Sequence, residues 1–193
     1  MFLFSAQNLA QTKGDQDIFK NVNLEVQVGE KVALVGPNGV GKTTLLRILA
    51  GIDKPVDGQL RFFGRIQTGY LAQNDAYPPE ATVQTVLETT SSKKSSINWQ
   101  EALSRFNFSG LETQKVSRLS GGEKTRLKLA CLRLQGCDLL LLDEPSNHLD
   151  MEQLNWLEGY LRDYPGTVLV VSHDRYFLDR VVERVVELSK TGI

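Results

Sequence analysis

Residues 31–51 read as a strand, a glycine-rich loop and a helix in unbroken succession, and few folds hold that order. Lys31-Val32-Ala33-Leu34-Val35 is a short apolar run. Gly36-Pro37-Asn38-Gly39-Val40-Gly41-Lys42-Thr43 follows and fits G-x-x-x-x-G-K-[ST] without a gap, and Thr43 to Ala50 is helical in pattern with Gly51 at its C-cap. A loop of this kind binds phosphate. Its glycines let backbone N–H groups converge on an anion, and the helix N-terminus adds partial positive charge. Lys42 sets a cation against β- and γ-phosphates, and Thr43 offers a hydroxyl to Mg²⁺. Gly36, Pro37, Asn38, Gly39, Val40, Gly41, Lys42, Thr43 and Thr44 are therefore the expected phosphate-binding residues.

The rest of the chain supplies the sheet such a loop needs. Val22, Leu24, Val26 and Val28 alternate with polar residues, as in an antiparallel strand with one wet face. Asp57-Gly58 turns the chain into a strand Gln59–Phe63, Arg65 to Leu71 reads as another, and a small antiparallel sheet is expected beside the main one. Leu139 to Leu142, Thr167 to Val171 and Arg184 to Leu188 are buried-strand runs separated by helical stretches at Met151–Leu161 and Asp174–Val181. Buried strands alternating with helices mean a mainly parallel sheet covered on both faces, an α/β fold. Between Gln73 and Leu119 the character changes. Thr82 and Asn98 are helix N-caps, the second with Glu101 at the capping-box position, Thr89 to Ser96 is a polar loop, and Trp99, Leu103 and Phe106 form one core stripe. Beyond Ser120 a helix carries Leu127, Ala130, Cys131 and Leu134 on one face and ends near Gly136, so residues 74–135 make up a small helical subdomain within one domain of 1–193.

Chemistry gathers at the ends of the buried strands. Asp143 closes the run Leu139–Leu142 and suits a magnesium shell, with Glu144 beside it as general base or water-orienting group. His173, after Val171, and Gln73, after Leu71, border the crevice of an open α/β sheet, where they can touch the γ-phosphate or the attacking water. The expected catalytic set is Glu144, His173, Gln73 and Lys42, and the metal set Thr43, Gln73 and Asp143. Ser120 with Gly121 and Gly122 at a helix start is an anion-binding end, and Ser120 is at the same time an N-cap for which Glu123 completes a capping box.

With these segments in order, the chain resembles the ATP-binding cassette (ABC) superfamily of P-loop NTPases over almost its whole length. Walker A lies at Gly36–Thr43, a Q-loop at Gln73, the signature at Leu119–Glu123, Walker B at Leu139–Asp143, a D-loop at Ser146–Asp150 and a switch histidine at His173. The resemblance implies an ABC-type nucleotide-binding domain with a mainly parallel core sheet, an antiparallel β subdomain and a helical subdomain. It implies ATP and Mg²⁺ as ligands, ATP hydrolysis, and a head-to-tail sandwich in which Ser120 and Gly122 of one cassette meet the γ-phosphate of ATP held by Lys42 of another. One position departs from the family: the residue that stacks on adenine aligns with Lys13, so that base stacking is either weak or supplied by a neighbour such as Phe4 or Phe19.

Glu144-Pro145-Ser146-Asn147-His148-Leu149-Asp150 and Val171-Ser172-His173-Asp174-Arg175-Tyr176-Phe177-Leu178-Asp179 resemble the ABC-F branch, whose proteins join two cassettes in one chain and act on the ribosome, in translation or antibiotic protection. The stretch Gln73–Leu119 leaves no room for the long arm often inserted in a first ABC-F cassette, and the chain ends just after its last strand, so one cassette excised from a longer protein is the expectation. The alternative is the ATPase subunit of a membrane transporter, docking a membrane partner beside the Q-loop. A net charge of −1 gives no global field for nucleic acid, so rRNA must meet a local patch for which Lys93, Lys94, Lys115, Arg118, Lys124, Arg126 and Lys128 are candidates. Cys131 and Cys137 lack metal or redox spacing, and no apolar run reaches the roughly 20 residues of a membrane span, so a cytoplasmic protein with buried thiols is expected.

Overall fold

The structure, a computed structural model, describes residues 1–72, 78–92, 95–147 and 149–193. In chain order the elements are β1 (Phe2–Lys13), β2 (Gln16–Gln27), β3 (Lys31–Val35), α1 (Lys42–Leu49), β4 (Asp57–Phe62) and β5 (Thr68–Leu71). Then come α2 (Val83–Thr90), α3 (Trp99–Arg105), a 3₁₀ turn at Val116–Arg118, α4 (Gly121–Leu134), β6 (Leu139–Asp143), α5 (Met151–Arg162), β7 (Thr167–Val171), α6 (Arg175–Val181) and β8 (Arg184–Glu187).

Five strands in the order β5-β6-β7-β3-β8 form a wholly parallel sheet. Its inner strands β6, β7 and β3 are near-continuous buried apolar runs, Leu139–Leu142, Val168–Val171 and Val32–Leu34, because both faces are covered. Successive side chains alternate between two cores. Leu140, Leu142, Val168, Val170 and Ala33 face a cluster built with α2 to α6. Leu139, Leu141, Leu169, Val171, Val32 and Leu34 face α1 and the second sheet. That second sheet is antiparallel, in the order β2-β1-β4, and contributes Phe4, Leu9, Phe19, Val22 and Val26. Helix α1 is thus sandwiched between the two sheets, which fixes the loop that precedes it.

Local signals agree with this arrangement. Thr82, Asn98, Ser120, Asp150 and Asp174 each cap a helix by accepting a backbone N–H, the middle three in full capping boxes. Leu127, Ala130, Cys131 and Leu134 are buried together, and Leu103 and Phe106 enter the same core with Trp99 at its margin. Helix α1 ends at Leu49 with Ala50 as its C-cap, and Gly51 follows in the left-handed region.

One strand had no clear signal in the sequence, and two expectations are corrected. Strand β1 carries no clean alternation in sequence because Asn8, at φ 51°, bulges the ribbon between Ala6 and Leu9, its N–H held by Asn23 Oδ1 at 2.9 Å. The strand before Gln73 is only Thr68–Leu71 and joins the parallel sheet beside β6, leaving β4 to complete the antiparallel one. Helix α2 runs on through Thr90, so the polar connection begins at Ser91.

Lys31, the first residue of β3, is buried and donates to the carbonyls of Gly29 (2.9 Å), Tyr164 (2.9 Å) and Gly166 (2.8 Å), tying β3 to the loop before β7. Burial holds its pKa below the ordinary lysine value. Lys31→Met strands these carbonyls without a donor and is expected to cost about 3 kcal/mol, read from urea denaturation midpoints; an unchanged midpoint refutes the tie.

Candidate functional site

Parallel strands send all their C-terminal ends to one edge of a sheet. Here β3, β6 and β7 deliver Gly36, Glu144 and Ser172 to the same edge, and a cavity of about 560 Å³ opens there. Asn38, Gly39, Gly41, Lys42, Thr43, Thr44, Asp143, Glu144 and His173 line it. Gly36 and Pro37 line an adjoining recess with Lys42, Ser172 and His173, while Val40 is buried beneath the loop as its anchor.

The loop is shaped by two glycines. Gly36 has φ +150°, and a Cβ there would lie 2.4 Å from the Leu188 carbonyl oxygen. Gly41 has φ +107°, and its Cβ would strike Ile18 Cγ2 at 2.4 Å and Phe19 Cδ1 at 2.8 Å. Any side chain at either site forces the loop off the sheets. Lys42 is buried and reaches back over the loop, donating to the carbonyls of Gly36 (2.8 Å) and Pro37 (3.1 Å). Gly41 is the N-cap of α1 and offers no side-chain cap, in contrast to the five side-chain-capped helices α2 to α6. The first-turn N–H groups of α1 are left for an anion, so a polyphosphate fits.

Asp143 ends β6 almost wholly buried and accepts a 3.3 Å hydrogen bond from the Tyr70 hydroxyl. Burial, with the Asp143 charge second, pushes Tyr70 up to about 12. Glu144 sits at φ 51°, a left-handed conformation uncommon for glutamate, with its N–H bonded to Val171 O at 2.9 Å. Its carboxylate turns toward His173: Oε2 accepts the His173 backbone N–H at 3.3 Å, and Oε1 lies 3.3 Å from His173 Nε2. The Glu144 side chain is 8% exposed and that of His173 is 60% exposed, so the histidine is the member of the pair open to ligand. Ser146 and Ser172 hydroxyls join the two following loops at 2.9 Å, a link across 26 residues that motif reading did not single out. Among the described residues no three His, Cys, Asp or Glu side chains converge on a metal position. Asp143 and Thr43 together suit a magnesium ion that arrives with phosphates and keeps several waters. Gln73 lies outside the described residues, as do Lys93, Lys94 and His148.

The far end of the cavity is lined by Lys13, Gln16, Asp17, Ile18 and Lys190. Phe4 and Phe19 are fully buried in the core between the sheets and line no part of it, so neither supplies the stacking face expected of them. Lys190 reaches this end because its carbonyl accepts the Lys20 N–H, a contact that sequence order conceals.

Ser120 and Gly122 line neither space. Ser120 caps α4, its Oγ accepting the Glu123 N–H at 3.2 Å while Glu123 Oε2 accepts the Ser120 N–H at 2.7 Å. Among the described residues no acceptor takes the hydroxyl proton. Within one chain the signature segment is therefore separate from the phosphate loop.

The comparisons with known proteins match this geometry. A family model described as "ABC transporter" aligns with residues 19–147, two thirds of the chain. The chain belongs to the ABC family. The cassette is 39% identical over 197 residues to ABC transporter F family member 2 of Arabidopsis thaliana, covering 98% of the chain and 28% of that protein. It is 36% identical over 214 residues to the energy-dependent translational throttle protein EttA of Escherichia coli, covering 90% of the chain and 39% of that protein. It therefore spans well under half of the length of these relatives. A solved structure of the ATP-binding subunit of an ABC transporter superposes with a TM-score of 0.88 over 99% of the chain and 88% of its own length, at 21% identity, which shows the shared fold. The cassette is an ABC ATPase domain, most like the ABC-F subfamily.

Gly122 is buried against α5: a Cβ there would come within 1.9 Å of Gln153 Oε1, the side chain that closes the Asp150 capping box. The signature segment and the D-loop helix are therefore packed as one piece. Gly122→Ala should cost about 1 kcal/mol by dislodging that cap, and much less in a Gln153→Ala background, because contacting sites are not additive. Equal costs in both backgrounds, measured by denaturation, rule the coupling out.

Proposed function

We propose that residues 1–193 act as one nucleotide-binding domain, with 74–135 as its helical part, that hydrolyses ATP with Mg²⁺ only when a second cassette closes over the nucleotide. The observation carrying this reading is the separation of the phosphate cavity from Ser120 and Gly122 in the same chain. A bound γ-phosphate then has donors on one side only, and another cassette's α4 N-terminus supplies the others. The exposed apolar side chains at the rim support a face that pairs: Met151 opens α5 and Tyr176 lies in the first turn of α6, 72% and 77% exposed, both following loops at the nucleotide edge.

In this reading the backbone of 36–41, the α1 N-terminus and Lys42 hold the phosphates. Asp143 and Thr43, with Gln73, would hold Mg²⁺, which would supply neutralisation of phosphate charge. Glu144, held in its left-handed turn, orients the attacking water and takes its proton, and exposed His173 contacts the γ-phosphate while holding the Glu144 carboxylate. Phosphoryl transfer needs mainly positioning and charge neutralisation, which these groups provide.

The cassette is further proposed to be one of two in a longer ABC-F protein that acts on the ribosome. The support is the likeness to an F-family member and to a protein named a translational throttle, together with the small share of each that the chain covers. No helix among the described residues is long and apolar enough to cross a membrane. Transporter subunits share the fold, so fold likeness does not separate the two roles. A basic rRNA patch is narrower than the lysine and arginine count suggests: Lys115 pairs with Glu80 at 2.6 Å and Arg126 lies over the Trp156 ring at 5.5 Å, leaving exposed Arg118 and Lys124 near the signature segment as its best members.

Glu144→Gln should retain ATP binding while cutting turnover by about 10²–10⁴-fold; unchanged turnover removes Glu144 from the chemistry. Lys42→Ala should lose nucleotide affinity in a binding titration, and normal affinity contradicts the phosphate-loop assignment. Full-length protein carrying Glu144→Gln should sediment with ribosomes in ATP and be released as salt rises. Absence from the ribosome pellet at low salt, with ATP bound, turns the assignment toward transport.

A further inference from the structure

Asp143 is the carboxylate at the centre of the nucleotide edge, and its surroundings are unusually sparse. It is 3% exposed, and among the described residues the Tyr70 hydroxyl is its one side-chain hydrogen-bond donor, at 3.3 Å to Oδ2. Two neighbouring cations are engaged elsewhere: Lys42, which lines the same cavity, donates to the Gly36 and Pro37 carbonyls, and Arg47 on α1 is held by Asp53 in a two-pronged pair, Nε to Oδ2 at 2.6 Å and Nη2 to Oδ1 at 2.9 Å. Tyr70 occupies β5, the edge strand paired with β6, in register with Leu141 two residues before Asp143. Its ring packs with the core on the α1 side, which also receives Leu139 and Leu141. Fold and packing thus bring a single hydroxyl to a buried carboxylate from the adjacent strand.

We propose that Tyr70 is the positioning residue for magnesium: its hydroxyl orients the Asp143 carboxylate so that the remaining oxygen lone pairs face the metal shell of the bound nucleotide. This rests on the Mg²⁺-ATP reading of the cavity and adds a residue that no nucleotide motif contains. The physical case has two parts. A buried carboxylate is costly unless its lone pairs are satisfied, and Tyr70 satisfies one set without adding charge that competes with the metal. A carboxylate also rotates freely unless a donor fixes its plane, and groups that orient a metal ligand typically govern 10- to 100-fold of metal affinity. At 3.3 Å the bond is longer than the usual hydroxyl–carboxylate contact, so its effect belongs at the lower end of that range.

Tyr70→Phe keeps the ring and removes only the donor. The test measures the affinity of a non-hydrolysable ATP analogue, adenylyl imidodiphosphate, by calorimetry for wild type and variant, each with Mg²⁺ and with EDTA. The gain in affinity on adding Mg²⁺ should fall about tenfold in the variant, while affinity in EDTA stays at the wild-type value. An unchanged gain overturns the inference. An equal loss with and without Mg²⁺ also overturns it, since Tyr70 then acts through packing alone, and the EDTA value doubles as the check that the variant is folded. A wild-type protein with no gain from Mg²⁺ overturns the magnesium reading itself, and that failure is visible before any substitution is compared.

Discussion

Double-sided burial of the parallel strands is the constraint from which the rest follows. A strand such as Leu139–Leu142 can be apolar at every position only if helices or a second sheet cover both faces. Covering both faces with right-handed crossovers makes the strands parallel and sends every strand-to-helix loop to one edge. The phosphate loop, Asp143-Glu144 and Ser172-His173 are therefore neighbours by topology, although more than 130 residues separate Gly36 from His173. The antiparallel ribbon has a narrower task. It seals the outer side of α1 and, through Ile18 and Phe19 pressed on Gly41, holds the phosphate loop in shape.

The site depends on hydrogen-bonding groups that are withheld from the fold. Five helices have their first turns satisfied by their own Thr, Asn, Ser or Asp, and stability is served there. Helix α1 begins at a glycine, leaving donors unspent where a polyphosphate needs them. Glu144 carries a related cost in its left-handed backbone, accepted because the turn swings its carboxylate to His173. Ser120 combines both uses, since a hydroxyl that accepts one N–H for its cap still has a proton to donate.

Membership of the ABC family and resemblance to F-family proteins come from short contiguous strings, and those strings are what sequence comparison weighs. The proposal of a partner cassette has a geometric ground: the signature segment, tied through Gly122 and Gln153 to α5, does not line the phosphate cavity of its own chain. Among the described residues, the cavity around Lys13 is lined by Gln16, Asp17, Ile18 and Lys190 and by no aromatic side chain.

By itself, the sequence determined whatever depends on neighbours along the chain. The phosphate loop, the caps at Thr82, Asn98 and Ser120, the buried strands and the acidic pair after Leu142 are all local patterns, dictated by backbone geometry and period. Tertiary structure alone decided what depends on residues far apart in sequence. Strand β1 was hidden because the bulge at Asn8 breaks its alternation. The membership of β5 in the parallel sheet, the burial of Phe4 and Phe19 and the reach of Lys190 into the cavity depend on which surfaces meet. The same holds for Tyr70 on Asp143, Ser146 on Ser172 and Gln153 under Gly122. Each is a contact between segments whose own patterns say nothing of one another, because burial is a property of the assembled layers and not of any stretch of chain.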